Sequence, residues 1–278
     1  MTRRWLAVLA LLATAAAWGA SFTLVKHVVA RMAPEPFIFW RFTFAGVILL
    51  FLARRHLSRK LILPGIVLGT FVFVGYMAQT HGLRFIPASR SAFLTGLYVV
   101  MVPFFQWRTV GRPRLNVWIA SVLALIGTAV LIGANFDVRP TFGDWLTLAC
   151  AVIFALHVVY SARWSTSESS AALAGVQVLF VGLAAAPFLF FTRPTPWDRS
   201  LVIVIIVTAV VTTALAFAAL MWAQAHVTAT EAAVILSFEP VAAAITSIAF
   251  EGEPLTPTFV TGGLMILAAM LLSQMRAR

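Results

Sequence analysis

Glu239 is a carboxylate set inside a long apolar run, and it is the residue of this sequence that most demands a chemical explanation. An ionised carboxylate facing lipid is costly, so it must be protonated, paired or open to a water-filled cavity. It can carry a proton, meet a cationic group of a ligand, or brace the chain at Pro240. We favour a functional site over a purely structural hydrogen bond at that proline.

Helical spacing shows what can stand around it, because positions i, i+4 and i+7 share a face. One segment collects Thr14, Trp18, Ser21 and Val25 in this way, and another Cys150, Phe154, His157 and Ser161. The same rule gives Ser91, Thr95 and Tyr98, then Ala232, Leu236 and Glu239, while Tyr76, Gln79 and Thr80 cluster in a third segment and Thr213, Phe217 and Gln224 in an eighth. Aromatic rings on these faces can pack an apolar group, and Gln79, Tyr98, His157 and Glu239 can meet an ammonium or a carboxylate. The expected substrate-binding set is Trp18, Ser21, Tyr76, Gln79, Tyr98, Phe154, His157, Phe217 and Glu239.

Plainer roles account for many of the same residue types. Ser and Thr in membrane helices often bond to their own backbone, so Thr14, Ser91, Thr95 and Thr213 read as structural one by one. Trp5, Trp40, Trp107, Trp118, Trp145, Trp164 and Trp197 lie near segment ends, where an interfacial belt is expected. Trp18 and Tyr98 lie deeper, with cavity lining and core packing equally open to them. Arg41, early in its segment, is expected to snorkel outward rather than to clamp an anion. Gly65 and Gly69 suit close helix packing, and Pro87, Pro103 and Pro240 are candidate helix breakers.

The elements that must position these residues span a membrane. Of the 278 residues 62% are hydrophobic and only 10% charged, against about 25% charged in soluble domains. A spanning helix needs roughly 20 apolar residues. Trp5–Val25, Pro36–Ala53, Leu61–Leu83, Ala88–Trp107, Val117–Ala134, Phe142–Ala162, Ala171–Phe191, Leu201–Gln224, Ala229–Phe250 and Thr258–Met275 qualify, predicting ten helices. The first follows Arg3 and Arg4 like a signal peptide, but further spans follow it, so it reads as a retained helix.

With the N-terminus inside, twelve Lys and Arg fall on the inner side and seven on the outer, Arg41 lying within a span. Both termini are therefore expected in the cytoplasm. The formal net charge of +11 is topological and does not mark a nucleic-acid surface, because the basic residues form short runs between spans.

The second half repeats the first. Gly111-Arg112-Pro113 recurs as Gly252-Glu253-Pro254, and Ala88-Ser89-Arg90-Ser91-Ala92 as Ala229-Thr230-Glu231-Ala232-Ala233, at an offset of 141; the opening helices match at 136, Leu12 with Leu148 and Gly46 with Gly182. Tyr98 and Glu239 are thereby equivalent. An odd number of spans per repeat turns the second one over, so residues 1–136 and 137–278 are expected as two inverted five-helix repeats in an all-α polytopic membrane protein.

Other classes fit poorly. Cys150 stands alone, and the histidines at 27, 56, 81, 157 and 226 form no i,i+4 pair, so neither a disulfide nor a metal or other cofactor is expected. No HExxH, GxSxG or paired acidic residues within a span suggest a catalytic residue or a membrane enzyme. An accessory subunit would not need an inverted repeat around a buried carboxylate.

The ordered motifs resemble a known family. Trp18-Gly19-Ala20-Ser21-Phe22 is similar to the first-helix signature of EamA-type members of the drug/metabolite transporter superfamily. Arg41-Phe42, Pro87 to Leu94, and Glu239-Pro240 followed by Gly252-Glu253-Pro254-Leu255-Thr256 resemble its later signatures. The resemblance implies ten helices around a central cavity lined by helices 1, 3, 4, 6, 8 and 9, and bacterial members commonly export amino acids or related metabolites, some moving amphiphilic or cationic drugs. The resulting expectation is a monomeric alternating-access exporter of neutral or aromatic amino acids in a bacterial cytoplasmic membrane, its partners a small-molecule substrate and the lipid bilayer. Sugar phosphates are disfavoured, because they need Arg or Lys clamps at mid-depth.

Overall fold

The computed structural model describes residues 2–109, 111–131, 140–194, 197–251 and 255–275. Among these residues the chain is helical and carries no strand. The helices are α1 (Arg3–Val29), α2 (Pro34–Leu52), α3 (Ile62–Gly82), α4 (Ala88–Gly96), α5 (Tyr98–Thr109), α6 (Leu115–Leu131), α7 (Phe142–Trp164), α8 (Ser170–Ala185), α9 (Arg199–Val207), α10 (Ala216–Gln224), α11 (Ala229–Leu236), α12 (Glu239–Glu251) and α13 (Pro257–Gln274). They form ten rods among the described residues, since α4 with α5, α9 with α10, and α11 with α12 continue one another.

Local sequence explains the ends. Thr141 and Asp144 build a capping box for α7, as Thr228 and Glu231 do for α11, each pair satisfying two backbone N–H groups that a helix start leaves free. Asp198 and Thr256 cap α9 and α13 through their side chains.

Two rods predicted as continuous are broken, at Leu97 and at Ser237–Phe238. Pro240 explains the second, because it has no N–H to give the Leu236 carbonyl and α11 ends there. The first is not due to Pro103, which sits inside α5, nor to Pro87, which directly precedes α4. It falls next to Gly96, a poor helix former. At the offset of 141, Leu97 corresponds to Phe238, so Tyr98 and Glu239 both open the second piece of their rod. Between α9 and α10 the chain widens into π-helix over Thr208–Leu215.

The packing exchanges the two halves. α2 lies along α8, and Gly46 meets Leu179 just as Gly182 meets Thr43, pairs that coincide at the offset of 136. In the same way α3 packs on α7 and α1 on α10, while α1 meets the α11–α12 rod and α7 the α4–α5 rod. Gly65 and Gly69 face Val176 and Phe180 of α8, the close approach expected of them.

Charged groups sort to two ends. Where α1 starts, the proximal end, Glu231 pairs with both Arg4 and Arg114. At the distal end Arg90 grips Asp144 through two hydrogen bonds of 2.6 and 3.0 Å, His81 lies 2.9 Å from Glu35, and Arg31 pairs with Asp198. Each partner stands where antiparallel neighbouring rods bring it. Trp5, Trp40, Trp107, Trp145 and Trp197 are each about half exposed on the outside, as an interfacial belt requires.

The fold is thus an all-α polytopic membrane protein of two five-rod repeats. The expected boundary at 136/137, together with Arg139, Gly252, Glu253 and Pro254, lies outside the described residues.

Candidate functional site

The rods border a cavity between the two repeats, about 750 Å³ when the space continuous with solvent is counted. All nine residues singled out from the sequence line it. α1 supplies Trp18 and Ser21, α3 Tyr76 and Gln79, α5 Tyr98, α7 Phe154 and His157, α10 Phe217, and α12 Glu239. The helix breaks place Tyr98 and Glu239 here, each at the start of a helical piece whose N–H groups are not all used by the helix itself.

The walls are aromatic. Trp18, Phe42, Tyr76 and Phe154 gather around Phe217 and each other with ring centroids 4.9 to 6.5 Å apart, mostly edge to face. Such a set is preorganised, because each ring is held by its neighbours.

The polar groups differ in how far they are committed. Ser21 donates to the Trp18 carbonyl at 2.8 Å, and Trp18 Nε1 donates to the Thr212 carbonyl at 2.8 Å. Gln79 donates to Thr95 at 3.0 Å. His157 Nε2 lies 2.8 Å from Gln177 Oε1 and 3.3 Å from Ser161 Oγ, so its ring faces the cavity while its nitrogen is engaged behind it. Glu239 lines the cavity, and its carboxylate makes no ion pair or hydrogen bond among the described residues. Tyr76 and Tyr98 line the same cavity.

Arg41 overturns the sequence expectation. It does not snorkel outward: it is 1% exposed and lines the cavity. Nε donates to Thr213 Oγ1 at 2.6 Å and Nη2 to Thr212 Oγ1 at 2.9 Å, both on the π-helical stretch. The wider π turn brings these two consecutive threonines to one guanidinium. Mid-depth therefore does hold a fixed cation, and the argument against anionic substrates from the lack of one falls. The signal was in the sequence, since an ionisable residue within a span is a functional candidate by default. Gln177 was also passed over, although an amide in an apolar span needs a partner for the same reason.

Lining residues run from the level of Tyr98 and Glu239 to Val25 and Leu83, near the distal ends of α1 and α3. None comes from the first half of α1 or from α5 beyond Tyr98. The proximal end is instead closed by the Arg4–Glu231–Arg114 cluster and by Gln106, whose Oε1 accepts from Thr230 N and Oγ1 at 2.9 and 2.8 Å. The distal end is packed as well: Lys26 donates to the Leu83 and Ile86 carbonyls, and Phe22, Val25, Leu83, Leu201 and Ile205 share a buried cluster.

Comparisons with known proteins agree with this architecture. The model of the EamA-like transporter family matches residues 5–133 and again residues 141–275. An uncharacterized transporter of Archaeoglobus fulgidus is 31% identical over 99% of this chain and 87% of its own length. The uncharacterized transporter YvbV of Bacillus subtilis is 24% identical over 94% and 89%. A solved crystal structure shares the fold at a TM-score of 0.81, with 18% identity over 96% of each chain. The chain belongs to the EamA-like transporter family.

Proposed function

We propose that this member of the EamA-like transporter family exports amino acids with neutral or aromatic side chains, and related small metabolites, across a bacterial cytoplasmic membrane by alternating access. The cavity carries the reading: aromatic walls for an apolar side chain, with polar groups at their edge for the backbone groups of an amino acid. Trp18, Tyr76, Phe154 and Phe217 are the packing surface; Ser21, Gln79, Tyr98, His157 and Glu239 are the polar contacts. Amphiphilic or cationic drugs fit the rings and Glu239 but meet Arg41, which disfavours a lone cation. Phosphate esters fit Arg41 but meet Glu239.

Alternating access is supported by the reciprocal packing of the two repeats around the cavity. With the proximal end, richer in Lys and Arg, placed in the cytoplasm, the Arg4–Glu231–Arg114 cluster closes the inner end and the Lys26 contacts the outer one. Exchange of the two repeats' packing would open the two ends in turn. The chain needs no second copy to complete the cavity, which supports a working monomer.

Purified protein in liposomes should exchange labelled neutral or aromatic amino acids, and flux of cationic drugs should be weaker. Robust phosphate-ester or drug exchange with no amino-acid flux would sink the assignment.

A further inference from the structure

Two ionisable groups of opposite kind, Arg41 and Glu239, line the cavity without an ion-pair partner among the described residues. Arg41 is held by neutral groups alone: two threonine hydroxyls, a 3.4 Å contact to the Thr212 carbonyl, and rings. Its Cζ lies 5.3 Å from the ring centres of Phe42 and Tyr76 and 5.6 Å from Phe37. No carboxylate pairs with it among the described residues. Glu239 on the opposite repeat is likewise unpaired there. Arg41, Tyr76 and Glu239 line the same cavity, so the two ionisable groups belong to one compartment.

Buried charges in proteins are normally paired, because an unpaired one forfeits its solvation without return. The threonine hydroxyls orient the guanidinium before any ligand arrives, so its orientation costs nothing at the moment of binding. A ligand with one charge neutralises one pole and leaves the other, whereas a zwitterion neutralises both. A guanidinium also matches a carboxylate in geometry, offering parallel N–H donors to its two oxygens.

We infer that Arg41 is the carboxylate anchor of the transported amino acid and Glu239 the partner of its ammonium, so that the cavity selects zwitterions over singly charged analogues. This rests on the amino-acid reading above. It adds a specificity residue on α2, a helix outside the expected lining set.

The test is competition against labelled phenylalanine exchange in proteoliposomes, using phenylalanine, phenylalaninamide, which lacks the carboxylate, and 3-phenylpropionate, which lacks the ammonium. Wild-type protein should prefer the zwitterion to either analogue by roughly 10- to 100-fold. Arg41→Gln should lose that preference over the amide, with a retained cooperative thermal unfolding transition showing that the variant is folded. Arg41→Lys keeps the charge but not the fork and should fall between them. Glu239→Gln should lose the preference over 3-phenylpropionate only. Equal competition by all three compounds in wild type, or an Arg41→Gln protein with undiminished preference for the zwitterion over the amide, would overturn the inference while leaving amino-acid export standing. No phenylalanine or other amino-acid exchange by wild type would overturn both.

Discussion

Gly19 follows Trp18 on the face of α1 that meets the broken rod, so giving it a side chain tests how Glu239 is held. In a helix interior Gly→Ala is by itself favourable by about 0.5–1 kcal/mol. At Gly19 the new methyl would overlap the Glu239 carbonyl oxygen and come within 2.8 Å of Ala242 Cβ and 2.9 Å of Ala243 N. Carbon atoms rest at about 3.5–4.0 Å, so α12 must retreat by about 1 Å. Much of the obstacle is backbone, and no rotamer change relieves it. Overpacking of this kind costs about 1–3 kcal/mol, which outweighs the helix gain and leaves a net loss of about 1–2 kcal/mol. At Gly263 on α13 nothing lies within 4 Å of the added methyl, so there only the helix gain remains. Thermal unfolding of the two purified variants should move in opposite directions. Displacing Glu239 by about 1 Å should also cost Gly19→Ala up to about 100-fold in exchange rate, by analogy with misplaced groups in other preorganised sites. If Gly19→Ala unfolds at or above the wild-type temperature and exchanges substrate normally, α12 is not seated on α1 at this level and the placement of Glu239 is wrong.

Cysteine accessibility in intact cells should place Arg59 and Arg112 in the cytoplasm and Glu35 and Asp198 outside, with Arg139 and Glu253 joining the outer set; Arg112 and Glu253 on the same side would remove the inversion. Tyr98→Ala should slow transport by removing both ring and hydroxyl, while Tyr98→Phe should cost less, and equal losses would show that the hydroxyl dominates. If Glu239 also carries a coupling proton, Glu239→Gln should lose flux driven by a pH gradient while keeping exchange at matched pH and saturating substrate, and gradient-driven flux kept at the same saturating substrate would exclude that coupling role. The Leu201 N–H, and next the Arg31 guanidinium, hold the Asp198 carboxyl below the ordinary aspartate range. A lowered folded-state value stabilises above the unfolded value and is lost as pH falls through the folded one, so Asp198→Asn should unfold earlier than wild type at neutral pH and alike in strong acid. A gap that persists in acid would assign the effect to something other than this ionisation.

The sequence displayed the spans, their number and the faces that converge, because a membrane makes hydropathy and helical spacing almost sufficient to place a rod. Equal depth of Tyr98 and Glu239 could be counted from the repeat. That both open a helical piece could not, because the break beside Gly96 depends on packing as well as on propensity, whereas the one before Pro240 follows from a missing N–H. Local reasoning also erred at Arg41. Counting turns put it near a helix end, where a long cation ordinarily reaches water. Its fate was decided by the π turn of another rod, 171 and 172 residues away in sequence, whose Thr212 and Thr213 offer the guanidinium neutral acceptors. No pattern within α2 contains that information.

This has a consequence for how the site works. A cation fixed by neutral hydroxyls keeps its full charge available, whereas one fixed by a carboxylate is already spent. Thr212 and Thr213 thereby set Arg41 without neutralising it, and on the reading proposed above they position it for the substrate carboxylate. Thr213→Val preserves shape and removes the shorter of the two side-chain hydrogen bonds, of 2.6 Å, so the guanidinium gains freedom but no new partner. Apparent affinity for a carboxylate-bearing substrate should fall by about 5- to 10-fold, the worth of one hydrogen bond of about 1 kcal/mol or slightly more, while affinity for an amide analogue stays constant. Thr213→Ser restores the hydroxyl and should restore the affinity. Equal losses for both ligands in Thr213→Val would mean that the threonine only packs the rod, and the cradle would then have no part in recognition.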